Sequence, residues 1–146
     1  MVRQEIIDDM DRAREILSTT DCSVVVVKNG TILTKKQGNG IKPILEAIEE
    51  LGQDIKGSTI GDRILGKASA LLCVYSEASG VYSRQATKTA IAVLIRAGIP
   101  GQTDEMIPYI KNRNGDGLCP FEKMLSNTDS PEEAYRILKK TLNEIQ

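Results

Sequence analysis

The sequence predicts a three-layer α/β domain in which a mixed sheet carries helices on both faces. Three observations carry that prediction. Val24 to Val27 form an unbroken β-branched run, which reads as a strand covered on both sides. Asn29-Gly30 follows it, and Thr31-Ile32-Leu33-Thr34 completes a strong hairpin signal. Segments with helical hydrophobic spacing stand on either side of this hairpin and supply its cover.

The elements follow in order. Ile6, Ile7, Met10, Ala13, Ile16 and Leu17 recur at three- and four-residue intervals, so residues 4 to 17 are expected as an amphipathic helix. After the hairpin and the Gly38-Asn39-Gly40 turn, Ile41, Ile44, Leu45, Ile48 and Leu51 make a second helical stripe. Pro43 suits its first turn and Gly52 its end. Thr59-Ile60-Gly61-Asp62 matches a capping box, which predicts a long helix to about Ser76. Gly80-Val81-Tyr82 is expected as a short strand, with Ser83 capping a helix that runs through Ala90, Ile91 and Leu94 to Gly98.

Part of Ile99 to Ile110 reads as an edge strand, and Asn112 to Gly117 as a loop. Cys119-Pro120-Phe121-Glu122 opens a short helix. Ser130-Pro131-Glu132-Glu133 opens the last one, whose buried face is Ala134, Ile137, Leu138, Leu142 and Ile145. The order is α-β-β-α-α-β-α-β-α-α, in one domain spanning 1–146.

Composition narrows the chemistry. Histidine is absent, which removes Ser-His-Asp and Cys-His nucleophile systems and every histidine-containing metal site. Nineteen basic and 20 acidic side chains leave a net charge of −1, so there is no basic excess for non-specific nucleic-acid binding. The three cysteines, at 22, 73 and 119, form no CxxC pair, and a reducing cytoplasm is the expected location. No apolar run approaches the roughly 20 residues of a membrane span. The charged N-terminal stretch does not read as a signal peptide, so no membrane association is expected.

The string Gly61-Asp62-Arg63-Ile64-Leu65-Gly66-Lys67-Ala68-Ser69-Ala70-Leu71-Leu72, then Val81-Tyr82-Ser83, then Asp116-Gly117-Leu118-Cys119-Pro120-Phe121-Glu122-Lys123, resembles a prokaryotic domain-of-unknown-function family with a cytidine-deaminase-like fold. The likeness covers nearly the whole chain. Deaminases of that fold carry a hairpin, a helix with His-Ala-Glu or Cys-Ala-Glu, a strand, and a second helix opened by Pro-Cys-x-x-Cys, and these hold zinc. In this chain the resemblance sets Gly66-Lys67-Ala68 near the first helix motif and Ser83-Arg84-Gln85-Ala86-Thr87 at the second. No zinc ligand stands in either place, so the expectation is a zinc-independent protein without a cofactor and not a zinc-dependent deaminase.

Lys67 falls in line with Ile60, Ile64, Leu71 and Val74 on the predicted helix. If enclosed it is a usable base or nucleophile; otherwise its stem covers core atoms while the ammonium reaches water. Cys119 precedes a helix, where a thiol pKa is lowered, or else it belongs to a capping turn in which Phe121 packs and Glu122 bonds back to its own helix start. Asp62 is either the acid of the capping box or a site residue. Ser83 and Arg84 stand at an expected helix start, a place that attracts anions.

These residues define the leading functional expectation: a small anionic or nucleotide-like ligand in a cleft between the middle helices. Lys67 and Arg84 neutralise it, Ser83 donates a hydrogen bond, and the Asp116 to Glu122 segment closes over it. An enzymatic version uses Lys67 or Cys119 as nucleophile or base. The alternative is a non-catalytic regulatory or protein-interaction module, as a homodimer, in which the same residues are structural.

Overall fold

The structure, a computed structural model, describes residues 2–145 except 113 and 116; Asp116 and the side chain of Ile145 therefore lie outside the described residues. The elements are α1 (Gln4–Thr19), β1 (Val24–Lys28), β2 (Thr31–Lys36), α2 (Lys42–Leu51), a 3-10 turn (Gly52–Ile55), β3 (Thr59–Leu65), α3 (Lys67–Tyr75), β4 (Gly80–Thr87), α4 (Lys88–Arg96), β5 (Gly101–Ile107), α5 (Pro120–Met124) and α6 (Pro131–Ile145). They build one five-stranded sheet in the order β2-β1-β3-β4-β5. β1 is antiparallel to both β2 and β3, whereas β3, β4 and β5 run parallel.

The valine run behaves as its composition demands. Alternate side chains of a strand point to opposite faces, and here Val25 and Val27 pack with Met10, Ala13, Ile16 and Leu17 of α1. Val24 and Val26 face the other way, into a larger core with Ile44, Leu45 and Ile48 of α2, Leu71 and Leu72 of α3, Leu94 of α4 and Leu138 of α6. The outer layers are therefore unequal. One helix covers one face, and the remaining long helices cover the other.

The hairpin turn has positive φ at Asn29 (50°) and Gly30 (82°), as a two-residue turn matched to strand twist requires. It is tied down from α1. The buried Asp9 carboxylate accepts from the backbone N–H of Asn29 at 2.9 Å and of Gly30 at 2.8 Å. Asp9→Ala removes both charge-assisted bonds, and because water reaches the exposed turn the expected loss is about 1–2 kcal/mol, read as a lower urea midpoint with an unchanged slope.

Two expected elements are corrected. Thr59 to Leu65 is not the start of a long helix: it is the central strand of the sheet, paired on both edges, and the helix begins only at Lys67. Close packing decides this. A Cβ on Gly61 would lie 2.9 Å from both the Ala13 Cβ and the Val25 Cγ1, so glycine is where α1 crosses nearest to the sheet. The Thr59 and Asp62 pair thus resembles a capping box without being one.

Likewise Ser83 caps nothing. β4 continues to Thr87, and it is the Thr87 hydroxyl that accepts from Ala90 N–H at 3.1 Å to start α4. The last helix does begin as expected, with Glu133 N–H donating to the Ser130 hydroxyl at 3.3 Å. Among the described residues no helix is long and apolar enough to cross a membrane.

Candidate functional site

β3 is the strand where the sheet changes character, with an antiparallel neighbour on one side and a parallel neighbour on the other. Crevices form beyond the carboxyl end of such a strand because the connections on its two sides diverge. A cleft of about 160 Å³ opens there. Its walls are Gly38 to Ile41 before α2, Asp62 to Ile64 of β3, Ala68 and Ser69 in the first turn of α3, and Ile110, Cys119, Phe121 and Glu122 from the C-terminal third of the chain. A cavity near 150 Å³ holds a single benzene-sized ring, so the enclosed part of this cleft is about the size of one ring.

Asp62 is the polar group built into the floor. Only 6 % exposed, it shares the strand face of Ile60 and Ile64, and it is hydrogen-bonded by the Ser69 hydroxyl and the Ile64 backbone N–H. Burial dominates these bonds and pushes its pKa up from 3.8 to about 7. The neighbouring Arg63 lowers it only weakly, because its guanidinium is committed elsewhere. It donates to the carbonyls of Leu17 (2.8 Å), Thr20 (3.1 Å) and Cys22 (2.6 Å), where a cation answers the carbonyl end of α1. Beneath Asp62, burial and the aspartate's charge push the Cys73 thiol well up.

Glu122 does not bond back to its own helix. Its carboxylate accepts from the backbone N–H groups of Lys67 (2.8 Å) and Ala68 (2.9 Å), capping α3 from 55 residues away along the chain. Gly66 makes room for this. A Cβ there would fall 2.2 Å from the Glu122 Oε1 and 2.5 Å from the Ile110 Cδ1.

Lys67 is buried, but not within an apolar helical stripe. It is the first residue of α3, and Ile60 and Ile64 belong to the preceding strand. Its Nζ pairs with Asp129 at 3.1 Å and donates to the Ser126 carbonyl at 3.3 Å, outside the cleft lining. Ser83 is fully buried in β4, with its hydroxyl donating to the Gln85 carbonyl. Arg84 is exposed, and its charge acts on Asp104, which the Tyr82 hydroxyl (2.5 Å) and Arg14 of α1 (2.6 Å) also hold.

Lys67, Ser83 and Arg84 are therefore not gathered around one ligand, and the helix start invoked for the latter two is a strand interior. Asp62, Cys119 and Glu122 do share the cleft; Asp116 lies outside the described residues. Ser69 was missed. Its signal appears only once Thr59–Leu65 is recognised as a strand, which puts residue 69 in the first turn above Asp62.

A larger depression, of about 410 Å³, lies at the other ends of α2 and α3. Its charged rim is mutually paired, Lys139 with Glu49 at 3.6 Å and Lys56 with Glu77 at 3.7 Å, and Tyr75 stacks on Tyr135 in its wall. Among the described residues no buried ionisable group lines it, so the smaller cleft has the stronger chemistry.

The element order also relocates the zinc comparison. The helix after the hairpin is α2, the strand is β3, and the second helix is α3, so the places for metal ligands are the first turns of α2 and α3 rather than of α3 and α4. Ile41, Lys42, Pro43 and Ile44 stand at one, and Gly66, Lys67, Ala68 and Ser69 at the other. Neither offers thiolate, imidazole or carboxylate. Both Glu122 oxygens are used by backbone N–H groups, and no metal-holding group of three His, Cys, Asp or Glu occurs among the described residues. This donor set does not fit zinc.

A crystal structure of a DUF1893 family protein from Thermotoga maritima superposes with a TM-score of 0.84 at 24 % identity, covering 97 % of this chain and 92 % of that one. RibD of Acinetobacter baumannii matches with a TM-score of 0.52 at 12 % identity over 68 % of this chain and 36 % of its own. The dCMP deaminase of cyanophage S-TIM5 gives 0.48 at 18 % identity over 70 % of this chain and 99 % of its own. No curated protein matches. The family described as "Domain of unknown function (DUF1893)" matches residues 12–142, and the chain, with its deaminase-like α/β fold and no zinc-binding group among its described residues, belongs to that family.

Proposed function

We propose that this protein binds a small, uncharged or weakly basic ring in the cleft beyond β3, with Asp62 accepting a hydrogen bond from a ring N–H or amino group. One observation carries the reading: a buried carboxyl, oriented by Ser69, lies in a ring-sized cleft that, among the described residues, no free side-chain cation lines. The anionic ligand expected from the sequence loses its support, because the Lys67 ammonium and Arg84 lie elsewhere and Arg63 is engaged on the end of α1. The ring half of a nucleotide-like ligand remains. Ile41, Ile64, Ala68 and Phe121 supply apolar contact for its faces, and Ser23, Asn39 and Cys119 supply polar edges.

A bound N–H donor prefers the ionised Asp62, so affinity rises as the pH climbs through about 7. Calorimetry with cytosine, 2-aminopyrimidine and orthophosphate tests the proposal. The expected result is binding of at least one of the two rings and none of orthophosphate, with Asp62→Asn weakening the ring by about tenfold or more, as losing a charge-assisted bond implies. Binding of orthophosphate without either ring overturns the reading, and so does ring binding that is indifferent to Asp62→Asn.

A further inference from the structure

From the way α5 is held, we infer that it is a gate over the cleft, latched by Glu122 on the first turn of α3 and pivoting at Leu125. The inference rests on the cleft being a binding site, but its test uses ligand-free protein, so the two readings fail separately. α5 spans only Pro120–Met124 and buries none of its residues fully. Among the described residues three side chains attach it: the Glu122 carboxylate on the Lys67 and Ala68 N–H groups; the half-buried Phe121 ring, which packs on the main core and against which a Cβ on Gly40 would rest at 3.4 Å; and the Met124 sulfur, which accepts weakly from the Thr141 hydroxyl of α6 at 3.6 Å.

Beyond α5 the chain is fixed more firmly. Leu125 is fully buried, and the Lys67 ammonium grips the Ser126 carbonyl and Asp129. One residue thus serves both ends of the device, its backbone N–H receiving the latch and its side chain holding the chain past the pivot. A segment with few buried apolar atoms and a polar attachment opens at lower free energy than the sheet beneath it. Opening withdraws Phe121, Glu122 and Cys119 from the cleft wall and so admits ligands that the closed volume of about 160 Å³ excludes.

Native-state hydrogen exchange on the full chain tests the gate. Four amides report it: Lys67 and Ala68, which bond to Glu122, Cys119, which bonds to the Ile110 carbonyl, and Lys123, which bonds to the Cys119 carbonyl. In the wild type they are expected to exchange as one group, about a hundredfold or more faster than the amides of β3. Glu122→Gln is expected to speed all four by about tenfold, the effect of losing a charge-assisted hydrogen bond, and to leave β3 unchanged. Gly66→Ala, which drives the carboxylate off from the other side, should give the same pattern. Exchange of the four amides together with β3 in the wild type overturns the gate. So does a variant response that spreads uniformly through β3, or one that is absent from both variants.

Discussion

Replacing Asp62 with asparagine raises the stability of the fold at pH 8 by up to about 4 kcal/mol and leaves it little changed near pH 4, because the folded protein holds this carboxyl's pKa about three units high. In the unfolded chain the group titrates near 3.8, in the folded chain near 7, so between those values the folded state binds the extra proton. Its stabilising contribution is complete below the unfolded value, declines as the pH rises above it, and is gone once the pH has passed about 7. Asparagine, which cannot ionise, does not decline. Urea denaturation of both proteins from pH 4 to 8.5 should show curves that diverge with increasing pH, and parallel curves would refute the buried ionisation. Strongly shifted groups of this kind concentrate at clefts, and Asp62 lies in one.

Gly61→Val is expected to cost about 3 kcal/mol, at the upper end for overpacking a core. A single added carbon already meets Ala13 and Val25 at 2.9 Å and Leu17 at 3.3 Å, and valine adds two more. The sheet cannot yield, since Gly61 is paired with Val25 on one edge and Tyr82 on the other. Helix α1 must therefore lift, and with it the Asp9 tie on the hairpin and the carbonyls that occupy Arg63. A chemical denaturation midpoint shared with the wild type would show that α1 has slack the packing does not display. Ala13→Gly in the same chain should recover part of the loss, and that coupling separates steric pressure from altered strand propensity.

What the sequence disclosed followed the range of the interactions involved. The hairpin, α1, α2 and α6 were legible because their signals are local: Asn29-Gly30 for the turn, hydrophobic residues three and four apart for the helices, Ser130 and Pro131 for the last start. β3 was not, because its buried alternation is interrupted by Gly61 and by the charged Asp62, while Thr59 and Asp62 imitate a helix cap at the correct spacing. That one misplacement moved Lys67 into a helix interior and turned Ser83 and Arg84 into a helix start.

Of the candidate site, Asp62, Cys119 and Glu122 were named from the sequence, but the reason for each was local. For Glu122 the sequence offers a bond back to its own helix or a place in the segment closing the cleft, whereas its carboxylate caps α3. Nothing near residue 122 announces a bond made 55 positions away; Gly66, bare where the carboxylate must enter, is its only trace, and a glycine before a lysine has many explanations.

That long-range cap sets an order of events on the ribosome. All five strands of the sheet have been synthesised by residue 107, before the segment that carries Glu122 emerges. On such a nascent chain the Lys67 and Ala68 amides still face water, the cleft has lost its outer wall, and the core side later covered by Leu125, Ala134 and Leu138 is open. The outer wall of the cleft is thus finished only by residues that emerge after the whole sheet, and the cleft cannot close before Glu122 has been synthesised.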